Sequence, residues 1–94
     1  MRKYELAVII KDKENVEEVL NNVKALLNTN GAQITGENRW GKRELAYPIK
    51  KHTTGYYVIF TIDAPASTIK LINDKLLLNE NILRHMFIKV SKKE

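Results

Sequence analysis

Hydrophobic residues recur along the chain with two different periods, and these periods predict four strands and two helices. Residues 4–10 are too short and too β-branched for a helix, so they predict the first strand. The alternation of a strand divides its side chains between two faces. One face holds Tyr4, Leu6, Val8 and Ile10, and the other holds Lys3, Glu5, Ala7 and Ile9.

Three further extended segments follow. Residues 32–49 predict a long strand in which Gly36 and Gly41 mark bulges, and Pro48, which has no N–H to donate, predicts a place at the sheet edge. Residues 52–55 predict a turn, and the aromatic and β-branched residues 56–62 predict the third strand. Its core face is expected to hold Tyr56, Val58, Phe60 and Ile62, and its outer face Tyr57, Ile59 and Thr61. Residues 83–90 predict the last strand.

Two segments have the period of a helix. Asn15 followed by Glu18 predicts a capping box at the start of the first helix, and Gly31 predicts its end. Its apolar stripe consists of Val16, Val19, Leu20, Val23, Leu26 and Leu27. Ser67 or Thr68 is the predicted cap of the second helix. The stripe of that helix holds Ile69, Ile72 and Leu76 and is widened by Leu71 and Leu78.

The predicted order β-α-β-β-α-β indicates an α+β protein of the ferredoxin-like class, a four-stranded antiparallel sheet with both helices on one face. The opposite sheet face would then carry six apolar or aromatic residues: Ala7, Ile9, Tyr57, Ile59, Met86 and Ile88. An uncovered apolar face of this kind predicts a protein partner. Two alternatives remain open, namely a wrong face assignment in one strand, or a long edge strand that curls over this face.

Length and composition limit the possible classes of protein. The 94 residues fit one domain, with residues 1–90 as its folded core and residues 91–94 as a short tail. The longest apolar run, residues 6–10, is far shorter than the roughly twenty residues of a membrane span. The chain has no cysteine, which excludes disulfides and thiol chemistry and fits a reducing compartment. We therefore expect a cytoplasmic protein without membrane attachment.

The net charge of +5 is not spread evenly along the chain. The two segments that contain the predicted helices, residues 14–31 and 56–81, have net charges of −2 and −1. The segments 1–13, 32–55 and 82–94 have net charges of +2, +3 and +3. This separation favours a polyanionic partner such as RNA, although charge that only keeps the protein in solution is the alternative.

Residues suited to catalysis or metal binding are sparse. His52 and His85 each lack a second ligand at metal-binding spacing, and neither Ser67 nor Ser91 resembles a nucleophile. None of the dispersed glycines opens a helix, which excludes a phosphate-binding loop. We therefore expect no enzyme, cofactor, metal or small-molecule substrate. An acylphosphatase-like hydrolase remains an alternative, although residues 11–14 (KDKE) are unlike its phosphate cradle, and a ligand-sensing module of the same fold is another.

RNA-recognition modules share this strand and helix order and stack bases on aromatic residues of the central strands. Residues 55–60 (GYYVIF) lack the basic-Gly-aromatic opening of that signature. The remaining signal is cationic contact with phosphates, which positions a protein on RNA and carries little sequence information. Its candidates are Arg2, Lys3, Lys42, Arg43, Lys50, Lys51 and Arg84. For each of them a solvated surface charge is the alternative.

Residues 41–50 (GKRELAYPIK) resemble the hallmark of the bacterial small-subunit ribosomal protein S-six family, a Gly-x-basic-polar-Leu-Ala-Tyr-x-Ile core. Residues 1–5 (MRKYE), 30–32 (NGA), 55–57 (GYY) and 84–86 (RHM) are similar to that family too, so the resemblance covers nearly the whole chain. It implies a structural protein of the 30S platform that binds 16S ribosomal RNA together with ribosomal protein S-eighteen as a heterodimer and is monomeric when isolated. It also implies that Arg2, Lys3 and Arg84 are the leading RNA contacts.

Overall fold

The computed structural model of the protein describes residues 2–13 and 15–90. The predicted ferredoxin-like fold is confirmed, with four antiparallel strands in the sheet order β2-β3-β1-β4. The elements are β1 (Arg2–Ile10), α1 (Val16–Thr29), β2 (Gln33–Ile49), β3 (His52–Ala64), α2 (Ala66–Leu77) and β4 (Ile82–Lys89). β1 and β3 are longer than their patterns predict. The predicted tail, residues 91–94, lies outside the described residues.

The core lies between both helices and the face of the sheet that the alternation predicts. In β1, Leu6, Val8 and Ile10 are at most 1% exposed, as expected for side chains that pack beneath helices. The strand pairing places Leu6 opposite Phe60 and Val8 opposite Val58, which confirms the predicted faces of β1 and β3. The helices cover these residues with Val19, Leu20, Val23, Leu27, Ile72 and Leu76.

The ends of α1 follow the local sequence signals. The side-chain oxygen of Asn15 accepts a hydrogen bond from the backbone N–H of Glu18 at 3.2 Å, which satisfies one free donor of the first turn. Gly31 has a φ of +85°, the left-handed conformation that favours glycine after a helix. The N–H of Ala32 donates to the carbonyl of Leu27 at 2.9 Å and closes the last turn.

The start and the outer side of α2 differ from the prediction. The helix begins directly after Pro65, which occupies the cap position, so the prediction of a Ser67 or Thr68 cap is wrong. Thr68 instead donates its hydroxyl to the Pro65 carbonyl at 2.9 Å from within the first turn. Leu71 and Leu78 are 48% and 82% exposed and do not widen the buried stripe. Leu71 lies about 100° around the helix from the buried side, and Leu78 follows the last helical residue.

The turn between β2 and β3 lies at Lys50 and Lys51, so the prediction of a turn at residues 52–55 is wrong. These two lysines have φ values of 49° and 68°, and Ile49 pairs with His52 across them. Two consecutive residues with positive φ match the twist of a two-residue hairpin turn. Other predictions for β2 are confirmed, since it is an edge strand and its register shifts before Gly36 and Gly41.

Candidate functional site

The sheet face turned away from the helices is apolar at its centre, and we call it the open face. The pairing places Ala7 of β1 between Ile59 of β3 and Met86 of β4, and it places Ile9 opposite Tyr57. All six residues predicted for a partner interface share this face: Ala7, Ile9, Tyr57, Ile59, Met86 and Ile88. Met86 and Ile88 are 47% and 45% exposed. The first alternative of the sequence analysis, a wrong face assignment, therefore does not apply.

The open face contains a shallow depression of about 240 Å³. Its lining consists of Ala7, Ile9, Tyr57, Arg84, His85 and Met86. Most of this lining is apolar, and Arg84 is its charged residue. The second alternative, a long edge strand that curls over this face, applies in part, because residues 45–47 of β2 line a cleft together with Ile9 and Tyr57.

The β2–β3 hairpin continues beyond the rest of the sheet. Pairing between β1 and β3 ends at Ile10 and Tyr56, whereas β2 and β3 pair further, to Glu44 and Thr54. After an irregular stretch at residues 45–48 they pair again at Ile49 and His52. We call residues 45–54 the hairpin tip. Its Tyr47 hydroxyl accepts a hydrogen bond from Nη1 of Arg84 in β4 at 2.6 Å. The hairpin tip therefore bends over one end of the open face and leaves the remainder uncovered.

The seven predicted RNA contacts lie at two ends of the sheet. Arg2 and Lys3 begin β1, whereas Arg84 pairs with Ile9 near the end of that strand. Ile9 follows Lys3 by six positions in β1, which corresponds to a distance of about 20 Å along the strand. Four other cations belong to the hairpin and accompany Arg84: Lys42, Arg43, Lys50 and Lys51. The structure therefore does not join the three leading candidates into one cluster.

Ion pairs within the protein distinguish two of these seven cations from the other five. Lys3 Nζ lies 3.9 Å from Asp63 Oδ1, and Lys42 Nζ lies 3.5 Å from Asp12 Oδ2. Within residues 2–13 and 15–90, no carboxylate lies within 4 Å of the other five: Arg2, Arg43, Lys50, Lys51 and Arg84. An uncompensated cation at the surface is available to a phosphate.

Asp12 connects the hairpin to the loop after β1. Its side chain is only 7% exposed, and the Thr54 hydroxyl donates to Oδ2 at 2.8 Å. This hydrogen bond, helped by the charge of Lys42, holds the pKa of the Asp12 carboxyl below its usual value against the opposing effect of burial. Asp12 Oδ1 is buried and has no hydrogen-bond partner among the described residues. Asp12 thus ties both strands of the β2–β3 hairpin to the loop that follows β1.

Arg39, by contrast, is engaged within the protein. Its guanidinium contacts both Glu17 of α1 and Glu37 of β2, and Lys24 Nζ lies 2.7 Å from Glu37 Oε1. The hydrogen bonds from Lys24 and then from Arg39 lower the pKa of Glu37. This group of charges ties α1 to the edge strand, so the charge of Arg39 is already compensated.

Trp40 is a surface residue that the sequence analysis did not identify. It is 47% exposed and occupies the register shift between Arg39 and Gly41, where it has no residue opposite in β3. The Arg43 guanidinium lies 5.5 Å from the centre of the indole ring, and Arg43 Nε donates to the Trp40 carbonyl at 3.4 Å. The sequence signal that could have identified this residue is a single tryptophan within a strongly charged segment, residues 37–44 (ENRWGKRE).

The two histidines form no catalytic or metal site with the described residues. His85 Nε2 lies 2.6 Å from Asn73 Oδ1, and burial lowers the pKa of the His85 imidazole. His85 is therefore a half-buried residue of β4, whereas His52 begins β3 and pairs with Ile49 of β2. No three His, Cys, Asp or Glu side chains within residues 2–13 and 15–90 are placed to hold a metal ion. In the same part of the chain, no helix is long and apolar enough to span a membrane.

Comparison with known proteins gives a consistent result. The sequence profile described as Ribosomal protein S6 matches residues 3–89. The chain is 40% identical over 92 residues to small ribosomal subunit protein bS6 of Fusobacterium nucleatum subsp. nucleatum, covering 95% of this chain and 98% of that protein. It is 41% identical over 91 residues to the protein of the same name from Clostridioides difficile, covering 94% and 98%.

The fold also resembles a solved structure. The crystal structure of 30S ribosomal protein S6 from Thermotoga maritima superposes with a TM-score of 0.87 and 24% sequence identity. The superposition covers 95% of this chain and 87% of that chain. This likeness supports the fold independently of the sequence matches.

Proposed function

The chain belongs to the ribosomal protein S6 family of the small ribosomal subunit, and from this premise we propose that it binds 16S ribosomal RNA jointly with ribosomal protein S-eighteen. The family consists of structural ribosomal proteins rather than enzymes, so the protein is a cytoplasmic, ribosome-associated component. Membership in this family removes the acylphosphatase-like alternative.

The observation that carries the proposal is the open face next to a cationic hairpin. Ala7, Ile9 and Ile59 lie at the centre of this face, where water would otherwise cover apolar surface. Burial of such surface against a second protein is favourable by about 25 cal/mol per Å². We propose that S-eighteen covers this part of the sheet and that the isolated chain is monomeric.

The cations at the two ends of the sheet are the proposed RNA contacts. Arg84, Lys50 and Lys51 lie at the hairpin end without a carboxylate within 4 Å among the described residues, and Arg2 lies at the other end. Arg84 is also oriented by the hydrogen bond that it donates to the Tyr47 hydroxyl, a neutral acceptor that leaves the positive charge uncompensated. Arg2 belongs to the side-chain row of β1 that faces the helices, whereas Arg84 lies on the open face, so Arg84 and the hairpin cations would place RNA next to the bound partner.

Binding to a 16S central-domain fragment, with and without S-eighteen, tests the RNA part of the proposal. We expect tight binding only with both proteins present. If about six phosphates are contacted, affinity should fall about a thousandfold between roughly 50 and 200 mM salt. An affinity that does not depend on salt would contradict the electrostatic mechanism.

Charged substitutions test the partner surface. Ile9→Glu, Tyr57→Glu and Ile59→Glu together should abolish heterodimer formation in gel filtration, because the open face could no longer be buried without stranded charges. The matched control is Leu71→Glu with Leu78→Glu, which adds charges to exposed leucines of the α2 side. Normal heterodimer formation by the triple variant, with a native circular dichroism spectrum, would show that another surface meets the partner.

A further inference from the structure

Trp40 and Arg43 form an exposed pair that the proposed function does not use as a unit. We propose that this pair is a stacking site for an unpaired nucleobase of the bound RNA, with Arg43 contacting the phosphate or sugar beside that base. The inference rests on the proposed RNA binding and adds to it a specific contact on the free edge of β2.

The backbone explains why the indole is at the surface. A residue inserted by a bulge has no partner across the ladder, and Trp40 lies between Arg39, which pairs with Val58, and Gly41, which pairs with Tyr57. Gly41 has a φ of +83°, a conformation that a larger residue rarely adopts. The bulge therefore fixes the indole outside the regular side-chain rows of the sheet, with about half its surface in water.

Arg43 gives this surface the chemistry of a nucleic-acid contact. Its guanidinium is held over the indole at 5.5 Å from the ring centre, and one of its N–H groups is anchored on the Trp40 carbonyl. No carboxylate within residues 2–13 and 15–90 compensates its charge. An aromatic ring next to a fixed, uncompensated cation is the combination by which proteins bind single-stranded nucleic acids, since a nucleotide supplies a π-face and a phosphate together.

The surroundings favour RNA over a protein at this position. Tryptophan and arginine are common in the interface cores of proteins, but lysine and glutamate are depleted there. Trp40 is followed in β2 by Lys42, Arg43 and Glu44, and the charge of Arg39 before it is already compensated. A protein partner would have to bury the Arg43 charge and supply an acid for it, whereas RNA carries the required charge on every nucleotide.

Trp40 is the only tryptophan of the chain, so its emission reports directly on this site. The first measurement is a titration of the purified chain with single-stranded oligoadenylate of about ten nucleotides at low salt, followed by fluorescence and by anisotropy of a labelled RNA. Inorganic polyphosphate serves as an anion without bases. We expect RNA to quench most of the emission and polyphosphate to leave it largely unchanged.

Two substitutions give the corresponding change in affinity. Trp40→Leu removes the ring and should weaken RNA binding about tenfold, while Trp40→Phe keeps an aromatic face and should weaken it much less. Leu71→Ala changes a residue of nearly equal exposure, 48%, on the helical side, and should leave RNA affinity unchanged. Circular dichroism checks that each variant is folded.

The outcomes separate the stacking site from the proposed function. RNA binding without quenching, together with unchanged affinity of Trp40→Leu, would refute the stacking site while RNA binding itself stands. A blue shift of the emission on addition of S-eighteen, with no response to RNA, would refute it in favour of a protein contact. A complete lack of RNA binding at low salt, by the chain alone and with S-eighteen, would overturn both.

Discussion

Gly55 is expected to be the least replaceable glycine of the chain, for reasons of space. A Cβ atom at this position would lie 2.5 Å from Cγ2 of Ile9, with the Ile10 carbonyl oxygen and Leu83 Cδ1 both at 3.5 Å. Carbon atoms normally approach to about 3.5–4.0 Å, so the first contact is too short by about 1 Å or more. Cγ2 is attached directly to Cβ of a β-branched residue and cannot rotate away freely.

The magnitude follows from two opposing effects. Overpacking of this kind costs about 1–3 kcal/mol. Alanine also has less conformational entropy than glycine in the unfolded chain, which raises the free energy of unfolding by about 0.4–1 kcal/mol. We therefore expect Gly55→Ala to lower the free energy of unfolding by about 1–2 kcal/mol and the melting temperature by about 4–15 °C.

Urea unfolding followed by circular dichroism measures this change, and two further variants test its cause. Gly36→Ala is the matched control, because a Cβ there meets only Thr61 atoms at an ordinary 3.5 Å; its stability should be unchanged or slightly raised. Ile9→Ala removes the clashing methyl, so Gly55→Ala should cost clearly less in that background. Equal losses in both backgrounds, or a fully stable Gly55→Ala, would refute the steric argument.

Three other predictions concern charged and polar groups. Thr54→Val should lower the free energy of unfolding by about 1–3 kcal/mol in urea titrations, because the buried Asp12 carboxylate loses its hydroxyl donor. Thr53→Val, a change at the exposed neighbouring residue, is the control and should have little effect. Burial lowers the His85 pKa in the folded state, so the unfolded chain binds the proton more readily. The free energy of unfolding should therefore fall as the pH drops below 6.5, the ordinary pKa of histidine. In melting curves, His85→Gln should lack this part of the pH dependence. Arg39→Met should lower stability slightly at low salt and not at about 1 M salt, where exposed charges are screened; a loss that persists at high salt would point to packing instead.

Local signals predicted much of the fold. The faces of β1, the cap of α1 at Asn15 and the stop at Gly31 depend on residues within one or two turns of each other, so the sequence contains their cause. The position of the turn between β2 and β3 could not be predicted from neighbouring residues in this way. Lys50 and Lys51 have no intrinsic preference for positive φ, and they adopt it because a two-residue turn between the paired Ile49 and His52 requires that twist.

The candidate site was predictable only in part for a related reason. The alternation identified the six residues of the open face, but contacts between distant segments have no period. Tyr47 and Arg84 are 37 positions apart, and Arg39 and Glu17 are 22 apart. The same limit explains the wrong prediction of a turn at Gly55, because the need for glycine comes from Ile9 on a neighbouring strand and not from the local chain.

The two cationic ends of the sheet have a consequence for the kind of RNA that can bind tightly. Arg2 and Arg84 lie about 23 Å apart along β1 and on opposite faces of the sheet, so a short oligonucleotide reaches one of them at a time. A folded RNA that presents phosphates at both ends binds the second after the first at a high effective concentration, without any new contact. The protein would therefore select RNA by the spacing of its phosphates, and rigid RNA of the wrong width would bind little better than a fragment.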